Sequence, residues 1–502
     1  MVNSIKDVPL TARKASGISR LWQTNRRLLL CVLAIGFVLR AVAMLPAAFH
    51  HPDEIWQYLE PAHYLAFDRW VVAWEYRDGI RTWLIPLLLA GPMKLGQLIA
   101  PESGLYLVLP KILLVLLSLS VVACSTAMGL RISRLHGAIA GLVTAVWAEL
   151  VYFGPRAMSE PVSMALFFPA ALLLTRPLEK RTPGVYVLAG ILLGLCFSAR
   201  FQLAPALGVL VLWSCRLHWR PWAWVIVGGL IGLGGDAVVD AAVGGHPPLM
   251  WIYENFKINL LEHKSSSFGV DPPYWYLTRI ANVWRLALLA IVPLMIIGAK
   301  RYPVLLVVAV ANILAHSLIP HKEYRFILLS IALIIFLAAI GTADWIEKLS
   351  RIKQYRLSRL AWGSIALWVL ASILVGSFGP LKRQWRGGHA LITALEQAGA
   401  NPKTCGFALY QPPHPLTAAY VFYHRDTPIY LFNDARDSDA ALKYQASFDV
   451  ILSTDLVPRL SNLYAFEGCT SGAYCVYRRP GSCHGEVPEQ YEVNNYLSKL
   501  GK

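Results

Sequence analysis

The chain has 502 residues, 56% of them hydrophobic and 15% charged, and it carries a formal net charge of +16. Soluble domains carry about 25% charged residues, so this composition excludes an ordinary soluble protein. The apolar residues lie in runs of about 16 to 24 residues, the length that crosses a hydrocarbon core about 30 Å thick. The basic residues lie in the short loops between these runs, where they act as topology determinants. The sequence therefore predicts a polytopic membrane protein that does not bind nucleic acid.

The first apolar run, Leu28–Phe49, is predicted to be a membrane span. It is too long for the core of a cleaved signal, and no small-residue cleavage site follows it. Ten further runs have the length and hydropathy of spans. The predicted spans are 28–49, 105–128, 137–154, 160–175, 184–199, 201–217, 221–243, 281–299, 303–319, 323–343 and 359–379.

The distribution of Lys and Arg predicts the orientation of these spans. Residues 1–27 carry several basic side chains, so this arm is predicted to be cytoplasmic. With eleven crossings, the later basic loops fall inside as well. The apolar segment Thr82–Ile99 would reverse this if it crossed fully, so we expect it to lie in the outer interface or to dip only part way. The alternative is that one short span, 184–199 or 201–217, does not cross.

The composition changes after Gly379, and residues 380–502 are polar and lack a spanning run. Strand-like pieces such as "CGFALY", "PIYLF" and "DVILS" alternate here with helix-like ones such as "HALITALEQAG". This pattern is typical of a small α/β domain. The predicted organisation is a cytoplasmic arm (1–27), a transmembrane domain (28–379) and a soluble outer domain (380–502).

Four cysteines fall in this outer domain, and in an exported segment four cysteines indicate two disulfides with three possible connectivities. A short loop closes at low entropy cost. This favours pairing of Cys469 with Cys475 and leaves Cys405 with Cys483 as the second pair.

The predicted topology places several polar stretches on the outer face. They are His50–Arg81, Gly154–Glu160, Gly244–Arg279, Pro320–Arg325 and the helix tip Arg200–Gln202. Ionisable residues on this face that are candidates for binding a substrate are Glu75, Arg156, Glu160, Arg200, His263 and Lys264.

Two adjacent carboxylates, Asp53 and Glu54, come at the outer end of the first span, where "HPDEIWQYLEPAH" predicts an amphipathic helix. Acidic residues in a first helical turn often do no more than complement the helix dipole. At a membrane boundary, however, a carboxylate is partly desolvated and able to act as a base. The loop then continues with "WEYRDGIRTW", which adds further ionisable residues.

Basic residues at the outer end of a span run against the positive-inside trend, and "IPHKEYRFILL" places His321, Lys322 and Arg325 there. One interpretation is that the long side chains snorkel to the interface. The competing interpretation is an anion site, because Lys supplies a point charge and Arg a fork that fits phosphate. The nearby "PPYWY" contains Trp275 and Tyr276; for Trp275 a membrane-belt anchor is favoured over a residue that stacks on a ligand.

The segments "HPDEIWQYLEPAH", "WEYRDGIRTWLIPLLLAGP" and "HKEYRFILLSIAL", together with "SFGVDPPYWYL", closely resemble the signature segments of glycosyltransferase family 22. The resemblance covers most of residues 28–345 and is nearest to the glycosylphosphatidylinositol mannosyltransferases that add the third mannose. It implies GT-C architecture for the membrane domain. The expected fold is therefore an all-α polytopic protein of GT-C architecture, with about 11 transmembrane helices and outer interfacial helices, followed by the small α/β domain that the composition predicts after Gly379. The resemblance also implies transfer of mannose from a polyprenyl-phosphate carrier to a lipid-linked or glycan hydroxyl, with inversion.

The resemblance assigns roles to particular residues. Asp53 would be the general base, with Glu54 supporting or sharing this role. The donor phosphate would be held by Arg81, His321, Lys322 and Arg325. Trp56 and Gln57, which follow the carboxylates, join the candidates for binding substrate.

The sequence has no nucleotide-phosphate fingerprint and no Cys/His array with zinc spacing. We therefore expect that no cofactor is required, although the motifs do not exclude a divalent metal. The expected partners are a polyprenyl-phosphate sugar, a lipid or glycan acceptor and membrane lipids. The expected location is a bacterial inner membrane or an endoplasmic reticulum membrane, with the active site and the C-terminal domain on the periplasmic or lumenal side.

Two alternatives stay open, and the second belongs to another functional class. One is another GT-C transferase that modifies lipid A or protein. The other is a transporter or flippase for a lipid-linked anion. Transporters place ionisable residues near the bilayer midplane and have repeated halves, whereas the charges here collect at one face and the sequence shows no internal repeat.

Overall fold

The structure is a computed structural model that describes residues 10–45, 47–101, 103–412, 418–433, 437–455, 458–470 and 474–501. The helices before residue 380 are α1 (Leu10–Met44), α2 (Glu60–Phe67), α3 (Trp74–Arg77), α4 (Leu84–Ile99), α5 (Leu105–Leu130), α6 (Arg134–Val146), α7 (Ala148–Phe153), α8 (Ser159–Leu174), α9 (Pro183–Ala199), α10 (Ala204–Cys215), α11 (Trp219–Val243), α12 (Met250–Phe256), α13 (Trp275–Trp284), α14 (Leu288–Ala299), α15 (Pro303–Ser317), α16 (Leu328–Lys353) and α17 (Leu357–Ser377). Short π or 3₁₀ turns lie at Glu54–Leu59, Leu178–Lys180, Phe201–Leu203, Lys257–Leu261, Lys264–Phe268, Arg285–Ala287 and Tyr324–Ile327.

Apolar helices match all the predicted spans. Among the described residues, six helical segments are long and apolar enough to cross a membrane, namely Asn25–Met44, Leu105–Leu130, Trp219–Val243, Trp275–Ala299, Tyr324–Lys353 and Leu357–Ser377. Six shorter apolar helices have 10 to 17 residues. Every predicted span overlaps one of these twelve segments, and the twelfth segment is α4. The number of crossings stays a prediction.

The central helix of the bundle is α16, and most of its apolar residues are buried inside the protein. It is apolar on all sides, as a helix surrounded by other helices must be. Gly298 of α14 and Gly341 of α16 let the two backbones meet, since a Cβ at either position would lie 1.9 Å from a carbonyl oxygen of the other helix. Small residues allow this close approach in membrane bundles. Arg325 lies in the 3₁₀ turn directly before this helix.

The C-terminal part contains a mixed five-stranded sheet in the order β2-β1-β3-β5-β4. Its strands are β1 (Phe407–Tyr410), β2 (Ile429–Phe432), β3 (Val450–Ser453), β4 (Ala465–Thr470) and β5 (Tyr474–Arg478). The helices around it are α18 (Pro380–Gln384), α19 (His389–Ala398), α20 (Tyr420–Tyr423), α21 (Ser438–Lys443), α22 (Pro458–Ser461) and α23 (Val493–Lys499), with 3₁₀ turns at Gln445–Ser447 and Glu489–Tyr491. β1 pairs in parallel with β2 and β3, whereas β5 is antiparallel to β3 and β4. The predicted small α/β domain is confirmed.

Two disulfides hold this domain together. One joins Cys405 to Cys483, and the other joins Cys469 to Cys475 across the β4–β5 hairpin. Both predicted pairs are therefore confirmed. Disulfides persist in oxidising compartments, which supports an outer location for the domain.

Helix α4 lies in the apolar segment Thr82–Ile99, which was expected not to cross the membrane fully. Both of its ends are near the C-terminal domain. At its start, Trp83 packs against Trp70 (ring centroids 5.6 Å apart), whose carbonyl oxygen accepts a hydrogen bond from Asn494 (3.1 Å). Near its end, Gln97 Oε1 lies 3.0 Å from His424 Nε2. A helix with both ends at one face of the bundle does not cross it, which supports the expected interfacial position.

The basic loops meet at the opposite face of the bundle. Arg131 Nη2 donates to the carbonyl oxygen of Leu172 (2.6 Å), which brings the loops after α5 and α8 together. Asp344 of α16 pairs with Arg301 (2.7 Å) and with His136 (3.2 Å). The loops that were predicted to share the cytoplasmic side therefore lie together, on the side away from the C-terminal domain.

We predict that this basic face is cytoplasmic, because Lys and Arg are retained there. A single cysteine introduced as Lys443→Cys, in the exposed part of α21, should react with an impermeant maleimide on sealed spheroplasts or right-side-out vesicles. Lys353→Cys, at the end of α16, should react only after permeabilisation. The native cysteines outside the disulfides (Cys31, Cys124, Cys196 and Cys215) are replaced by Ser in both variants and in the parent control. Labelling of position 353 in sealed vesicles would refute the topology.

Candidate active site

The predicted first outer loop, His50–Arg81, forms the wall of the site. The predicted helix begins after His51, but its first turns, Glu54–Leu59, are π-helical before α2 continues the chain. π turns are rare in proteins, and those that do occur are often found at functional sites. Every residue of this turn is buried, and Asp53 lies directly before it.

The buried guanidinium of Arg325 contacts carboxylates from several segments of the chain. Arg325 Nε and Nη2 donate to both oxygens of Glu323 (2.8 and 2.9 Å), and Nη2 also donates to Asp53 Oδ2 (2.5 Å). Arg325 Nη1 lies 3.5 Å from Glu160 Oε1 at the start of α8. Glu160 in turn accepts from Arg200 Nη1 (2.8 Å). We call Asp53, Glu160, Arg200, Glu323 and Arg325 the charge network.

His51 connects the exposed side of the charge network. Its Nδ1 lies 3.1 Å from Asp53 Oδ1, and its Nε2 lies 3.7 Å from Glu323 Oε2. Burial lowers the pKa of His51, but the neighbouring Asp53 carboxylate raises it by more. The pKa of His51 therefore lies above that of an ordinary histidine. Neither His51 nor Glu323 was among the predicted site residues, although both lie inside the signature segments.

The charge network keeps Asp53 ionised. Burial alone would raise the pKa of Asp53, but the positive charges of Arg325 and His51 outweigh burial and hold this pKa well below its ordinary value. The carboxylate is therefore deprotonated at neutral pH. While it is paired with Arg325, however, it is a weak base.

Glu54 points away from this cluster. Its two oxygens accept hydrogen bonds from the backbone N–H of His50 (2.8 Å) and of Ala157 (3.1 Å), and the residue is only 2% exposed. The side chain thus joins the first outer loop to the loop before α8. The structure separates the two adjacent carboxylates, and Glu54 has the contacts of a positioning residue.

The four residues predicted to hold phosphate have different surroundings. Arg81 makes no hydrogen bond to any described residue through its side chain, and its Nε is buried. His321 Nε2 lies 3.2 Å from Glu323 Oε1, and its Nδ1 has no partner within the described chain. Arg81 and His321 therefore have nitrogen atoms that remain available to a ligand.

Lys322 differs from the prediction in its position. Its ammonium donates to the backbone carbonyl oxygens of Asp271 (2.9 Å), Ile319 (2.6 Å) and Pro320 (3.3 Å). These bonds tie the Pro320–Arg325 loop to the loop before α13. The ammonium is occupied by structural contacts in this conformation, so its predicted contact with phosphate has no support in the geometry.

Several residues predicted to bind substrate are engaged in packing instead. Trp56 Nε1 donates to the carbonyl oxygen of Ala418 (3.0 Å) in the C-terminal domain. Gln57 Nε2 donates to Glu75 Oε1 (2.7 Å), and both side chains are buried.

Arg156 stacks on the Tyr152 ring (4.6 Å) and donates to the carbonyl oxygen of Ala48. These contacts place Arg156 beside the segment that joins α1 to the first outer loop. Its Nε and Nη2 have no hydrogen-bond partner among the described residues.

The loop before α13 covers one side of the site. Lys264 lies over the ring of Trp74 (5.0 Å), whereas His263 is exposed. Trp275 is half-buried beneath Arg279 (5.4 Å), and Tyr276 is fully buried. His263 is thus not brought to the charge network by any contact in the described structure.

Two buried acidic residues of α11, Asp236 and Asp240, were not among the predicted site residues. Both accept from Thr82 Oγ1, at the start of the α4 segment, and Asp240 also accepts from the N–H of Leu249 (3.2 Å). An acidic residue inside an apolar span is a signal for a functional site. That signal was present in "GGDAVVDAAV".

The ligand types also fit a divalent cation at one position. One donor atom each from His51, Asp53 and Glu323 lies within 4.8 Å of the others. Imidazole and carboxylate groups are suitable ligands for transition metals. Arg325 already donates to both carboxylates, so a cation would compete with the guanidinium.

A helical membrane domain with an acidic first outer loop, together with a small sheet domain at the same face, defines a GT-C glycosyltransferase fold. Among solved structures, ArnT from Cupriavidus metallidurans bound to undecaprenyl phosphate has a similar fold. The TM-score is 0.62 at 12% identity, over 91% of this chain and 99% of the ArnT chain. At this identity the likeness concerns the fold alone.

Residues 28–393 match the Alg9-like mannosyltransferase family, and the chain belongs to that family. The GPI mannosyltransferase 3 of Yarrowia lipolytica is 27% identical over 408 residues, which are 78% of this chain and 74% of the yeast protein. The GPI alpha-1,2-mannosyltransferase 3 of Xenopus laevis is 27% identical over 324 residues, or 59% of this chain and 57% of the frog protein.

We predict that Glu54→Gln destabilises the protein. A Gln side chain has one acceptor oxygen, so its NH₂ group would face one of the two backbone donors and leave it unsatisfied, at a cost of about 1–3 kcal/mol. Thermal unfolding in detergent should show a lower midpoint than for Glu179→Gln, a change at an exposed position. A normal midpoint combined with lost activity would instead give Glu54 a chemical role.

Proposed function

We propose that this protein transfers mannose from a polyprenyl-phosphate carrier to a hydroxyl of a lipid-linked acceptor at the outer face of a membrane. The observation that carries the proposal is the ionised Asp53 carboxylate, 2.5 Å from the buried Arg325, in a member of a mannosyltransferase family. The pair supplies a base and a group that binds phosphate at one point.

Arg325 and Arg81 would bind the donor phosphate. Arg81 has a guanidinium without hydrogen bonds to the described residues, and its positive charge contributes, after Arg325 and His51, to the lowered pKa of Asp53. A phosphate that takes up Arg325 Nη2 competes with Asp53 for it. Once Asp53 is released from this ion pair and lies beside an anion, its pKa rises and it becomes a stronger base. Donor binding therefore activates the base.

The transfer is a single displacement. The acceptor oxygen forms a bond to the anomeric carbon while the bond from that carbon to the phosphate oxygen breaks, which inverts the configuration. The acceptor proton passes to Asp53. The bonding electrons leave with the polyprenyl phosphate, and Arg81 and Arg325 stabilise the charge that develops on it.

The names of the relatives suggest the class of acceptor. They are GPI mannosyltransferases, so we infer a glycolipid acceptor that carries a sugar hydroxyl. The domain that covers the first outer loop lies mostly beyond the matched residues 28–393. This part of the chain is therefore where the acceptor preference would differ from that of the relatives.

The Asp53→Asn variant tests the base. Turnover should fall by at least ~10²-fold, or ~2.7 kcal/mol of barrier, because the amide does not accept the proton. Donor affinity should stay equal or increase, since Arg325 loses a competing partner. Transfer from polyprenyl-phosphate mannose and direct donor binding are measured in parallel, with Glu179→Gln as the control. Turnover near the wild-type rate in Asp53→Asn would rule Asp53 out.

The pH profiles test activation by the donor. In the free protein Arg325 holds the pKa of Asp53 down, so activity measured as kcat/KM should persist below the ordinary carboxyl pKa of about 4. In the donor complex the pKa of Asp53 rises, so kcat should begin to fall at a higher pH as the medium is acidified. Coincident acid limbs of kcat and kcat/KM would contradict competition between the phosphate and Asp53 for Arg325.

A further inference from the structure

The short segment that carries Arg81 is held on both sides by buried polar side chains of the membrane domain. Before Arg81, the carbonyl oxygen of Ile80 accepts a hydrogen bond from Asn255 Nδ2 of α12 (3.1 Å). After Arg81, the hydroxyl of Thr82 donates to Asp236 Oδ1 of α11. The reaction steps described above use Arg81, but they use none of these contacts.

Asp240, one helical turn after Asp236, extends this support to the start of α4. Its Oδ1 accepts from the backbone N–H of Trp83 (3.3 Å) and lies 3.4 Å from the Thr82 hydroxyl oxygen. Its Oδ2 accepts from the N–H of Leu249 (3.2 Å), directly before α12. The two acids therefore fix the chain from Thr82 onwards relative to α11 and α12.

The two acids are buried without a cation beside them. Asp236 is fully buried and Asp240 is 4% exposed. Among the described residues their contacts are with neutral groups, namely the Thr82 hydroxyl, backbone N–H groups and the side chains of Ser198 and Trp251, which face Asp236. Charges inside a membrane domain cost free energy and are usually functional. A role beyond packing is therefore expected for this pair.

The side chain of Arg81 faces other groups than its neighbour Thr82 does. It makes no hydrogen bond to any described residue, and the carboxylates that act on it electrostatically are those of Glu75 and Asp53. An arginine side chain has many rotamers when no hydrogen bond restricts it. The position of its backbone then decides where the guanidinium is found.

We propose that Asp236 and Asp240 are positioning residues for the donor, which hold the Arg81 segment so that its guanidinium meets the phosphate near Asp53. The proposal rests on the function proposed above, because it takes Arg81 as a phosphate-binding group. The two acids act through the hydroxyl and backbone of Thr82 and Trp83 and do not touch the substrate. Groups that are positioned before binding lose less entropy when the ligand arrives, which increases affinity.

Binding of a polyprenyl phosphate without sugar to the purified full-length protein tests this effect. Thr82→Val keeps the shape of the side chain and removes the hydroxyl, so the affinity should fall about 3- to 10-fold, the effect of one neutral hydrogen bond. Thr82→Ser keeps the hydroxyl and should bind like the wild type.

Asp236→Leu removes the acceptor of the same hydrogen bond. It should weaken binding by a similar factor, and its combination with Thr82→Val should add little, because both changes break one bond. A purely electrostatic role predicts the opposite sign, since removal of a negative charge favours binding of an anion.

A double-mutant cycle separates positioning of Arg81 from a general loss of structure. Arg81→Ala removes the group that is positioned, so Thr82→Val should have almost no further effect on phosphate binding in that background. Ser372→Ala is the matched control, because Ser372 is a buried residue of α17 whose hydroxyl donates to the carbonyl oxygen of Val146 (2.6 Å). It should bind the lipid like the wild type. Thermal unfolding midpoints verify that each variant is folded.

The outcomes separate this inference from the proposed function. A folded Thr82→Val protein that binds the phosphate lipid like the wild type overturns the positioning role, as does a Thr82→Val effect of equal size with and without Arg81. In both cases the proposed function stands as long as Arg81→Ala itself weakens binding. Unchanged binding in Arg81→Ala would instead remove Arg81 from the phosphate site, and the positioning role would fall with it.

Discussion

Burial of the Arg325 guanidinium is the interaction on which the site depends. An ion that leaves water without a partner loses several kcal/mol, and this residue is only 3% exposed. Its compensation comes from Asp53, Glu160 and Glu323, which lie on separate segments of the chain. The helices that carry these residues must therefore pack correctly before the charge is stable. Loss of one carboxylate would leave the buried positive charge less compensated, and it would also hold the other carboxylates less firmly in position.

The first outer loop has a second support in the C-terminal domain. The side chain of Glu60 is fully buried and accepts from the N–H of Val71 and from that of Val421 (2.6 Å each). Trp56 reaches Ala418 of the same domain. The charge network fixes one end of the loop while the sheet domain fixes the π turn and α2 behind it. Rigid support of this kind is what an active site needs to hold its groups within a fraction of an ångström.

The sequence predicts the helices well because apolar runs and basic loops are properties of local segments. It also brings Asp53 and Arg325 into one site through recognisable motifs. It does not predict that Glu323, and not its neighbour Lys322, contacts Arg325 in the site. Which of two adjacent side chains turns towards the site depends on the loop geometry. Nor does it predict that Trp56 packs on Ala418, since a contact between distant segments leaves no periodic pattern. Asp236 was predictable in principle, because its charge interrupts a span.

The pairing of the first outer loop with the C-terminal domain has a consequence for biosynthesis. Trp56 and Glu60 bond to residues 362 and 361 positions later in the chain. At roughly 5–20 residues per second, these partners are made on the order of 20 to 70 s after the loop itself. The loop that carries Asp53 is therefore synthesised long before the domain that packs on it exists. A nascent or truncated chain that lacks the sheet domain has an incomplete site, so the enzyme becomes competent only when this domain has folded.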